Sequence, residues 1–538
     1  MASPATDEKN PTNAAHQLEE EFVEHAQDTH DVDRDLKFLD AIKAYPKAVG
    51  WSVLLSTAIV MEGYDLKLIP QMFAQPAFTR SYGRQLEDGK YEISAQWQAG
   101  LSNGAIVGSL FGLLLGGWVV ERVGFRKTML GALSAVTGLI FLQFFAQNLE
   151  MLQAAQILIG LPMGIFQSIT THYAVEITPT CLRAYLTTYV NLCWVLGQMC
   201  SSGVMRGFVQ RSDQWAFRIP FAIQWMWPLL LVVGIFFAPE SPWWLVRHGK
   251  IDEAKAVLHQ LQSRKRTDFD VDNRIALMIA TTQHEHEVNT GTTYAACFRG
   301  TNCRRTIIAM GCSLAQGLCG AGFRNYSTYF YLQAGLPAVQ AFNMTIVQYA
   351  LAVIGAFAAW FLLPFLGRRQ LYIWGLVSIV LCHTATGGIG IAYHKRQSTG
   401  LAWASGSMLL LFTLIYDITI GPVAYALVSE IPSVLLRGKT IVIARMSYVM
   451  FSIVSNTITP YMLNPSQWDW GARAGFFWAG TALVMLTFAY FMIPETKDRT
   501  FYELDKLFEQ GVSARQFSKT EVEPMDAVPV AKNDNFDA

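Results

Sequence analysis

Two carboxylic acids, Glu62 and Asp65, lie three residues apart within an otherwise apolar stretch of the chain. If that stretch is a helix, both side chains lie on one face, because residues three apart are neighbours on a helix surface. Ionisable groups in apolar surroundings are costly and are therefore candidates for function, and such a carboxylate can bind and release a proton. The alternative for Asp65 is a static ion pair with Lys67 or with a distant arginine.

Two further charged side chains fall within apolar stretches, Asp417 and Arg445. Arg445 is a candidate partner for Glu62 or Asp65, and the alternative is an interfacial arginine that extends its guanidinium to water. Asp417 precedes a Gly-Pro pair that favours a bend in a helix. It is equally well explained as a hydrogen-bonding residue between packed helices.

Composition excludes several classes of protein. Of the 538 residues, 52% are hydrophobic and 15% are charged, whereas about a quarter are charged in an ordinary soluble domain. The 41 Lys and Arg balance the 41 Asp and Glu, and a nucleic-acid binder would need a basic surplus. The eight cysteines show no CxxC or Cys/His spacing, so we predict no metal, no cofactor and no disulfide.

The apolar residues come in long runs that are typical of a polytopic membrane protein. Backbone polar groups in lipid must bond within their own segment, so we predict an all-α fold of twelve transmembrane helices, each with the ~20 residues that a bilayer requires. The predicted spans are 47–69, 97–120, 127–147, 150–175, 185–206, 217–238, 304–333, 338–366, 370–393, 402–429, 438–462 and 471–493.

These spans divide the chain into five regions. They are an N-terminal tail (1–46), a first six-helix half (47–239), a central loop with short helices (240–303), a second six-helix half (304–494) and a C-terminal tail (495–538). Both tails have a composition typical of disorder. Lys and Arg are more frequent in the loops after the second, fourth, eighth and tenth spans, which places both termini and the central loop in the cytoplasm.

Three local patterns occur twice, at offsets of 254, 243 and 255 residues. They are Glu176 with Arg183 and Glu430 with Arg437; GFRK (124–127) and GRRQ (367–370); and PES (239–241) and PET (494–496). Such offsets predict two halves in parallel register with a substrate site between them. Paired charges at helix ends could close one face, and the alternative is topology-setting charges with turn glycines. The predicted cytoplasmic gate comprises Glu121, Arg122, Arg126, Glu176, Arg183, Glu240, Arg368, Glu430, Arg437 and Glu495.

The repeated motifs and their flanks resemble the sugar porter family of the major facilitator superfamily. The resemblance is carried by GWVVERVGFRK (117–127, with Glu where Asp is usual), PESPWWL (239–245) and PETKDRT (494–500). Stretches such as MEGYD (61–65), YLTTYVNLCWVLGQ (185–198) and YSTYFY (326–331) are similar to the fungal maltose and α-glucoside permease branch. The resemblance implies a major facilitator fold and proton-coupled uptake of maltose-like sugars across the plasma membrane.

The resemblance also implies roles for single residues. Asp65 occupies the acid position of the first helix, and Arg445 stands where the branch carries an arginine in the eleventh. Amides and aromatic rings bind sugar hydroxyls and ring faces, although they are also common packing elements in membranes. The expected sugar contacts are Asn191, Gln198, Gln316, Arg324, Asn325 and Tyr425.

The chain departs from the branch at two positions. In the second span the acid of the branch is replaced by Ala105, and in the seventh span Arg324 stands where an apolar residue is usual. Arg324 could face the central cavity and pair with Asp65, contact an acidic or unusual substrate, or extend outward from the rim. The missing acid at Ala105 leaves transport without proton coupling as an alternative.

The leading prediction is a monomeric plasma-membrane carrier that takes up α-glucosides by proton symport, with sugar, proton and the lipid bilayer as its partners. The alternatives are a carrier of the same fold for another cargo (an acidic sugar, or secondary-metabolite export), a facilitated uniporter, and a nutrient sensor that does not transport. The short C-terminal tail argues against the sensor. An enzyme is not expected, because no nucleophile–base pair, phosphate loop or metal set is apparent.

Overall fold

A computed structural model describes residues 38–520 except 88, 179, 262–270, 277, 280–281, 283–292, 364, 434–435, 498 and 500. The described chain is almost entirely helical, and the sheet within it is a two-stranded antiparallel hairpin of β1 (Arg84–Gln85) and β2 (Tyr91–Glu92). The chain divides into two compact units, and the boundary between them falls after residue 291. The short segment Ile93–Ala99 is grouped with the second unit.

The helices before residue 262 build the first unit, except that the first residues of α4, Ala95–Ala99, are grouped with the second. In chain order they are α1 (Phe38–Ala44), α2 (Pro46–Met72), α3 (Pro76–Tyr82), α4 (Ala95–Val123), α5 (Phe125–Phe144), α6 (Leu149–Ile177), α7 (Thr180–Phe208), α8 (Trp215–Ile223), α9 (Met226–Phe236), α10 (Pro242–Arg247) and α11 (Ile251–Leu261).

The helices after residue 299 build the second unit, together with 3₁₀ turns at Tyr294–Phe298 and Gly471–Ala474. In chain order they are α12 (Gly300–Leu318), α13 (Ala321–Asn325), α14 (Ser327–Gln333), α15 (Ala338–Leu362), α16 (Arg368–Arg396), α17 (Thr399–Ile418), α18 (Ile420–Glu430), α19 (Arg437–Leu463), α20 (Gly475–Met492) and α21 (Phe501–Glu509).

Local sequence explains where several of these helices begin. Prolines open α2, α3 and α10, where the missing N–H would have no partner within the helix in any case. The side chain of Asn148 accepts the N–H of Met151 over 2.8 Å at the start of α6. Ser241 does the same for Trp244 over 3.2 Å at the start of α10. These polar caps satisfy N–H groups that the first helical turn leaves without partners.

Glycines bring the helices of the first unit into backbone contact. A Cβ on Gly112 of α4 would lie 1.9 Å from a carbonyl oxygen of α6, and a Cβ on Gly160 of α6 would lie 2.2 Å from the carbonyl oxygen of Ala105. A Cβ on Gly63 of α2 would likewise lie 2.4 Å from a carbonyl oxygen of α7. Membrane helices pack closely through such small residues, because lipid supplies no hydrophobic force between them.

The predicted spans correspond to helical regions throughout the described residues. There, nine helical segments are long and apolar enough to cross a membrane, which confirms a multi-pass, all-α membrane protein. The predicted first, fifth and seventh spans coincide with α2, α7 and α12–α14, which are helical but fall outside this set. The count of twelve spans therefore stays a prediction.

The predicted seventh span, 304–333, is broken rather than continuous. α12 ends at Leu318, and Gly320 adopts a φ of +99°, which side chains of L-residues rarely adopt. The Nε2 of His383 donates a hydrogen bond of 2.8 Å to the carbonyl oxygen of Cys319. This contact satisfies a backbone group that the break releases, as apolar surroundings require.

The predicted tenth span, 402–429, is interrupted as well. α17 ends and α18 begins around Thr419, which has φ −114° and ψ −82°. A bend was expected here from Gly421 and Pro422, and the observed interruption lies two residues before that glycine.

The C-terminal tail is ordered over residues 501–520, which corrects the prediction of disorder for this segment. α21 buries Leu504 and Phe508, and Asp505 forms an ion pair with Arg305 of α12. The prediction was wrong because the many charged residues of the tail dominate its composition, whereas its few apolar residues share one helix face.

Candidate functional site

Asp65 lies on α2 with its carboxylate buried between amide side chains from other helical segments. The Nε2 of Gln224 donates to Oδ1 of Asp65 over 3.0 Å, and the Nε2 of Gln143 donates to the same oxygen over 3.3 Å. Among the described residues, the buried Oδ2 has no hydrogen-bond partner. The Asp65 carboxylate is thus held by neutral donors, which differs from the static ion pair considered as its alternative.

Glu62 lies one turn before Asp65 and is also buried. Its Oε1 accepts a hydrogen bond from the Nε2 of Gln167 on α6. Glutamines therefore contact both acids, and sequence reasoning missed all three of them: Gln143, Gln167 and Gln224. The available signal was an isolated amide in an apolar run, because such a group needs a hydrogen-bond partner once it is buried.

Arg324 forms an ion pair with Asp417 in the second unit. Its Nη1 lies 3.2 Å from Oδ1 of Asp417, and its guanidinium lies 4.8 Å from the centre of the Tyr416 ring. Asp417 thus supplies a counterion for Arg324 within the second unit, and the pairing of Arg324 with Asp65 considered from the sequence stays a prediction. Arg324 in α13 and Asp417 in the last turn of α17 both lie beside helix breaks.

Arg445 lies on α19 beside two tyrosines of the second unit. Its Nη1 donates to the hydroxyl of Tyr425 over 3.3 Å, and its guanidinium lies 4.9 Å from the centre of the Tyr448 ring. Tyr425 is 45% exposed, so part of its side chain remains accessible. The pairing of Arg445 with Glu62 or Asp65 stays a prediction.

The amides expected to contact a sugar differ in how they are engaged. Gln316 is buried and donates to the carbonyl oxygen of Gly421 over 3.1 Å. Asn325 donates to the side chain of Asn456 over 3.2 Å. The amides expected on α7, which are half-buried, have no hydrogen-bond partner within the described part of the chain: Asn191 and Gln198.

In the first unit, charged residues gather where α5 begins. The carboxylate of Glu240 accepts the N–H groups of Phe125 over 2.8 Å and Arg126 over 3.2 Å. Gly124 has a φ of +95°, and a Cβ there would lie 2.6 Å from Oε2 of Glu240. The carboxylate thus occupies the positive end of the helix dipole at a distance that only glycine allows. We call this set the first charged cluster: Glu121, Gly124, Glu176, Glu240, Ser241 and Arg247.

Burial raises the pKa of Glu240 above its ordinary value, because desolvation penalises the ionised carboxylate. The N–H groups of Ser241, Phe125 and Arg126 oppose this effect by stabilising the charge, and the nearby carboxylate of Glu176 adds to it. The helix N-terminus therefore compensates only part of the cost of burying Glu240.

Glu176 is the second acid of the first charged cluster. The Nη2 of Arg247 lies 2.8 Å from its Oε1, and the hydroxyl of Ser241 donates to its Oε2. Glu121 lies 3.9 Å from the Nε of Arg247. Sequence reasoning proposed Arg183 as the partner of Glu176, and the side chain of Arg183 lies outside the described residues. Arg247 was not predicted.

In the second unit, a second charged cluster repeats this arrangement where α16 begins. Glu495 accepts the N–H groups of Arg368 over 2.8 Å and of Arg369, Thr496 and Lys497 over 3.2 Å each. A Cβ on Gly367 would lie 2.2 Å from Oε2 of Glu495. The second charged cluster comprises Gly367, Arg368, Glu430, Glu495 and Thr496.

Glu430 is bound by residues of the second charged cluster. The Nη2 of Arg368 lies 3.4 Å from its Oε1, and the hydroxyl of Thr496 donates to its Oε2 over 2.6 Å. The expected partner seven residues along the chain was Arg437. Arg368 binds Glu430 because it projects from the first residue of α16, beside the last residue of α18.

Two predicted gate residues of the first unit contact aromatic rings. The guanidinium of Arg122 lies 4.1 Å from the centre of the Trp118 ring, and that of Arg126 lies 5.3 Å from the centre of the Phe236 ring. Such contacts stabilise a cation that is partly removed from water. The described residues contain no group of three or more His, Cys, Asp and Glu side chains that could hold a metal ion.

The sequence is similar to a family described as sugar (and other) transporter, whose model matches residues 51–508. It is 40% identical over 520 residues to a maltose permease of Saccharomyces cerevisiae, which covers 96% of this chain and 84% of the relative. It is 39% identical over 504 residues to a general alpha-glucoside permease of the same yeast, which covers 93% and 81% of the two chains.

The fold is similar to solved structures of the xylose transporter XylE from E. coli. A partially occluded inward-open form aligns with a TM-score of 0.68 at 17% identity, which covers 85% of this chain and all of the other. A form titled as a major facilitator superfamily proton:xylose symporter aligns with a TM-score of 0.66 at 18% identity, over 86% and 99% of the two chains. At 17–18% sequence identity, this similarity is evidence for the fold alone.

Proposed function

Because this chain belongs to the sugar transporter family of the major facilitator superfamily, we propose that it takes up α-glucosides such as maltose by proton symport across the plasma membrane. The observation that carries the proposal is the similarity to yeast permeases for maltose and α-glucosides over more than nine-tenths of this chain. Family membership confirms the resemblance deduced from the repeated motifs and makes the chain a carrier rather than an enzyme.

Asp65 is the proposed proton-binding residue. Its Oδ1 accepts two amide N–H groups, while Oδ2 and the amide oxygens of Gln143 and Gln224 are buried without hydrogen-bond partners among the described residues. An ionised carboxylate uses the donors of these amides, and a protonated one supplies an O–H for which amide oxygens are suitable acceptors. The surroundings of Asp65 therefore suit both protonation states, as a coupling acid requires.

Glu62 and Arg445 are proposed to assist Asp65 in coupling. Glu62 shares its helix face and is also held by a glutamine amide. Arg445 supplies a positive charge within the second unit, where tyrosines hold its guanidinium. A proton on Asp65 removes a buried negative charge, which lowers the cost of closing an apolar cavity around a neutral sugar.

Each unit, taken by itself, offers side chains that are proposed to contact sugar. Asn191 and Gln198 offer amides without protein partners among the described residues, seven positions apart on one face of α7. Tyr425 offers a partly exposed ring. Gln316 and Asn325 lie beside the helix breaks of the second unit. Amides bind sugar hydroxyls, and aromatic rings pack against the C–H faces of sugar rings.

The two charged clusters are proposed to form the cytoplasmic gate. The excess of Lys and Arg in the loops on that side supports a cytoplasmic position for both termini and the central segment. Within each cluster, ion pairs and carboxylate–backbone hydrogen bonds link the starts and ends of several helices. Contacts of this kind hold one face closed until the helix ends separate. The carrier is proposed to act as a monomer.

Facilitated uniport is the second candidate function, and Ala105 favours it. Ala105 is buried where the related branch carries an acid, and its backbone lies against Gly160. This position therefore supplies no carboxylate for proton coupling. A carrier of acidic sugars is less favoured, because the positive charge of Arg324 is already neutralised by Asp417.

The test is sugar-induced proton uptake in yeast cells that lack their own α-glucoside transporters and express this chain. We expect the medium to become alkaline on addition of maltose. The Asp65→Asn variant should lose this response, whereas the exposed Asp213→Asn control should keep it. Maltose entry without proton movement would support the uniporter. Failure to take up any α-glucoside, with the protein verified at the plasma membrane, would refute the proposed substrate.

A further inference from the structure

An ion pair joins the two helix breaks of the second unit. Arg324 lies in α13, the short helix that follows the break at Gly320, and Asp417 lies in the last turn of α17, two residues before the break at Thr419. The Nη1 of Arg324 lies 3.2 Å and 3.5 Å from the two carboxylate oxygens of Asp417. The pair therefore links two backbone segments, each of which lies next to a break in the regular helical hydrogen bonding.

Both members of the pair are enclosed by protein. The side chain of Asp417 is 9% exposed and that of Arg324 is 22% exposed. The guanidinium of Arg324 also lies over the ring of Tyr416, and a Cβ on Gly355 of α15 would lie 3.0 Å from the Cβ of Asp417. The charges thus compensate each other in apolar surroundings, where removal of one would leave the other costly to bury.

Residues proposed to bind sugar are attached to the same segments. Gln316, in the last turn of α12, donates to the carbonyl oxygen of Gly421 in the first turn of α18. Tyr425 lies one turn further along α18, and Asn325 follows Arg324 directly. A change in the distance between the two breaks would therefore displace all three of these side chains.

We propose that the Arg324–Asp417 ion pair is a positioning element of the sugar site, which fixes the two helix breaks relative to each other and thereby sets the affinity for sugar. Neither charge binds the cargo and neither exchanges the coupled proton. The inference rests on the proposed sugar transport. Arg324 is one of the positions where this chain departs from its branch. In this proposal Arg324 affects sugar binding indirectly, by holding the neighbouring sugar-binding side chains in place.

The experiment compares five variants in the yeast uptake assay, with initial rates measured against maltose concentration and normalised to surface protein. They are Arg324→Gln, Asp417→Asn, the double variant, the charge exchange Arg324→Asp/Asp417→Arg, and the control Arg396→Gln, which neutralises an exposed arginine at the end of α16. The proton-to-sugar ratio is measured for every variant that transports.

Each single variant should lose most of its surface protein, because an uncompensated charge remains buried. The double variant should recover surface protein and maximal rate to within about twofold, with an unchanged proton-to-sugar ratio and a KM raised about tenfold, comparable to the loss of one well-placed hydrogen bond. The charge exchange should lower KM relative to the double variant. The control should match the wild type.

Two results would overturn the proposal. A wild-type KM in the double variant would show that the pair serves folding alone. A raised KM in Arg324→Gln with an unchanged KM in Asp417→Asn would show that Arg324 contacts the cargo itself. If the wild-type protein takes up no α-glucoside, the proposed function fails.

The unfolding temperatures of the purified variants then test whether Arg324 and Asp417 depend on each other. If the losses in unfolding temperature of the two single variants add up in the double variant, the link between the breaks is refuted. A double variant that is more stable than either single variant would support the link.

Discussion

The first and second charged clusters contain a similar pair of glutamates, but the arginine that binds one of these glutamates comes from a different position in each cluster. In each, one glutamate (Glu240 or Glu495) accepts N–H groups at the start of a long helix, and a second glutamate accepts a hydroxyl from the residue that follows the first. The arginine, however, comes from α10 in the first cluster and from the first residue of α16 in the second. The repeated element is therefore the carboxylate on the helix N-terminus.

This difference has a geometric origin. In both clusters the glutamate lies so close to the helix start that a Cβ on the preceding residue would clash with it, so the contact ties one glutamate to one glycine, as in Gly124 with Glu240. A long, flexible guanidinium reaches a carboxylate from any nearby element. Gly124 differs from Gly367 in one further respect, since its φ is +95° whereas that of Gly367 is −65°.

The largest expected effect separates the two glycines. Gly124→Ala should destabilise the protein more than Gly367→Ala, because the φ of +95° and ψ of 163° at Gly124 cost about 1–3 kcal/mol for a residue with a Cβ. Both variants also displace a glutamate from the helix start. The measurement is the unfolding temperature of the purified protein, with Gly131→Ala as a control, since a Cβ there meets open space. Equal losses at the two glycines would contradict the comparison.

A smaller effect separates the two arginines. Arg247→Gln and Arg368→Gln should each lower the free energy of unfolding by about 1 kcal/mol or less, as expected for partly exposed ion pairs. Arg247→Gln should cost more, because Arg247 lies near both Glu176 and Glu121. Double-mutant cycles with each glutamate measure these pairs. A larger coupling in the second cluster than in the first would reverse this order.

The smallest effect is a pH dependence that arises from Glu240 in the first cluster. Burial raises the pKa of Glu240, so the folded protein holds this proton more tightly than the unfolded chain does. The resulting stability is present at low pH and is lost as pH rises from the ordinary carboxyl value of 4.5 through the raised pKa of the folded state.

The Glu240→Gln variant should lack this part of the pH dependence. The measurement is the unfolding temperature at a series of pH values from 4.5 upward, compared with the wild type. Glu150→Gln, at an exposed acid near the start of α6, is the matched control. A wild-type slope in Glu240→Gln would show that other groups carry the dependence.

Much of the fold could be predicted from the sequence, because long apolar runs have few structural solutions in lipid. The helix breaks were harder to predict. A glycine such as Gly320 tolerates many conformations, so its φ of +99° is not evident from its neighbours. The released carbonyl oxygen of Cys319 accepts a hydrogen bond from His383, which lies far along the chain. The bend near Thr419 was anticipated because the Gly-Pro pair that favours it is local.

Part of the candidate site could also be predicted from the composition of the apolar runs. Glu62 and Asp65 could be identified because charged side chains are rare in apolar runs. Their partners Gln143, Gln167 and Gln224 could not, because which amide meets which acid depends on the packing of several helices. Arg247 was missed on the same ground, and Arg368 was predicted as a gate residue without its partner Glu430. A sequence motif does not specify which neighbouring element approaches it.

The glycine contacts between α4 and α6 have a mechanical consequence. Where a carbonyl oxygen occupies the space of a missing Cβ, as at Gly112 and Gly160, no layer of side chains separates the two backbones. Sliding one helix along the other would force these atoms into overlap, so the seam resists shear, and the two helices deform as one stiff element. In the second unit, the interrupted segments at Gly320 and Thr419 have the lower bending stiffness and absorb deformation first.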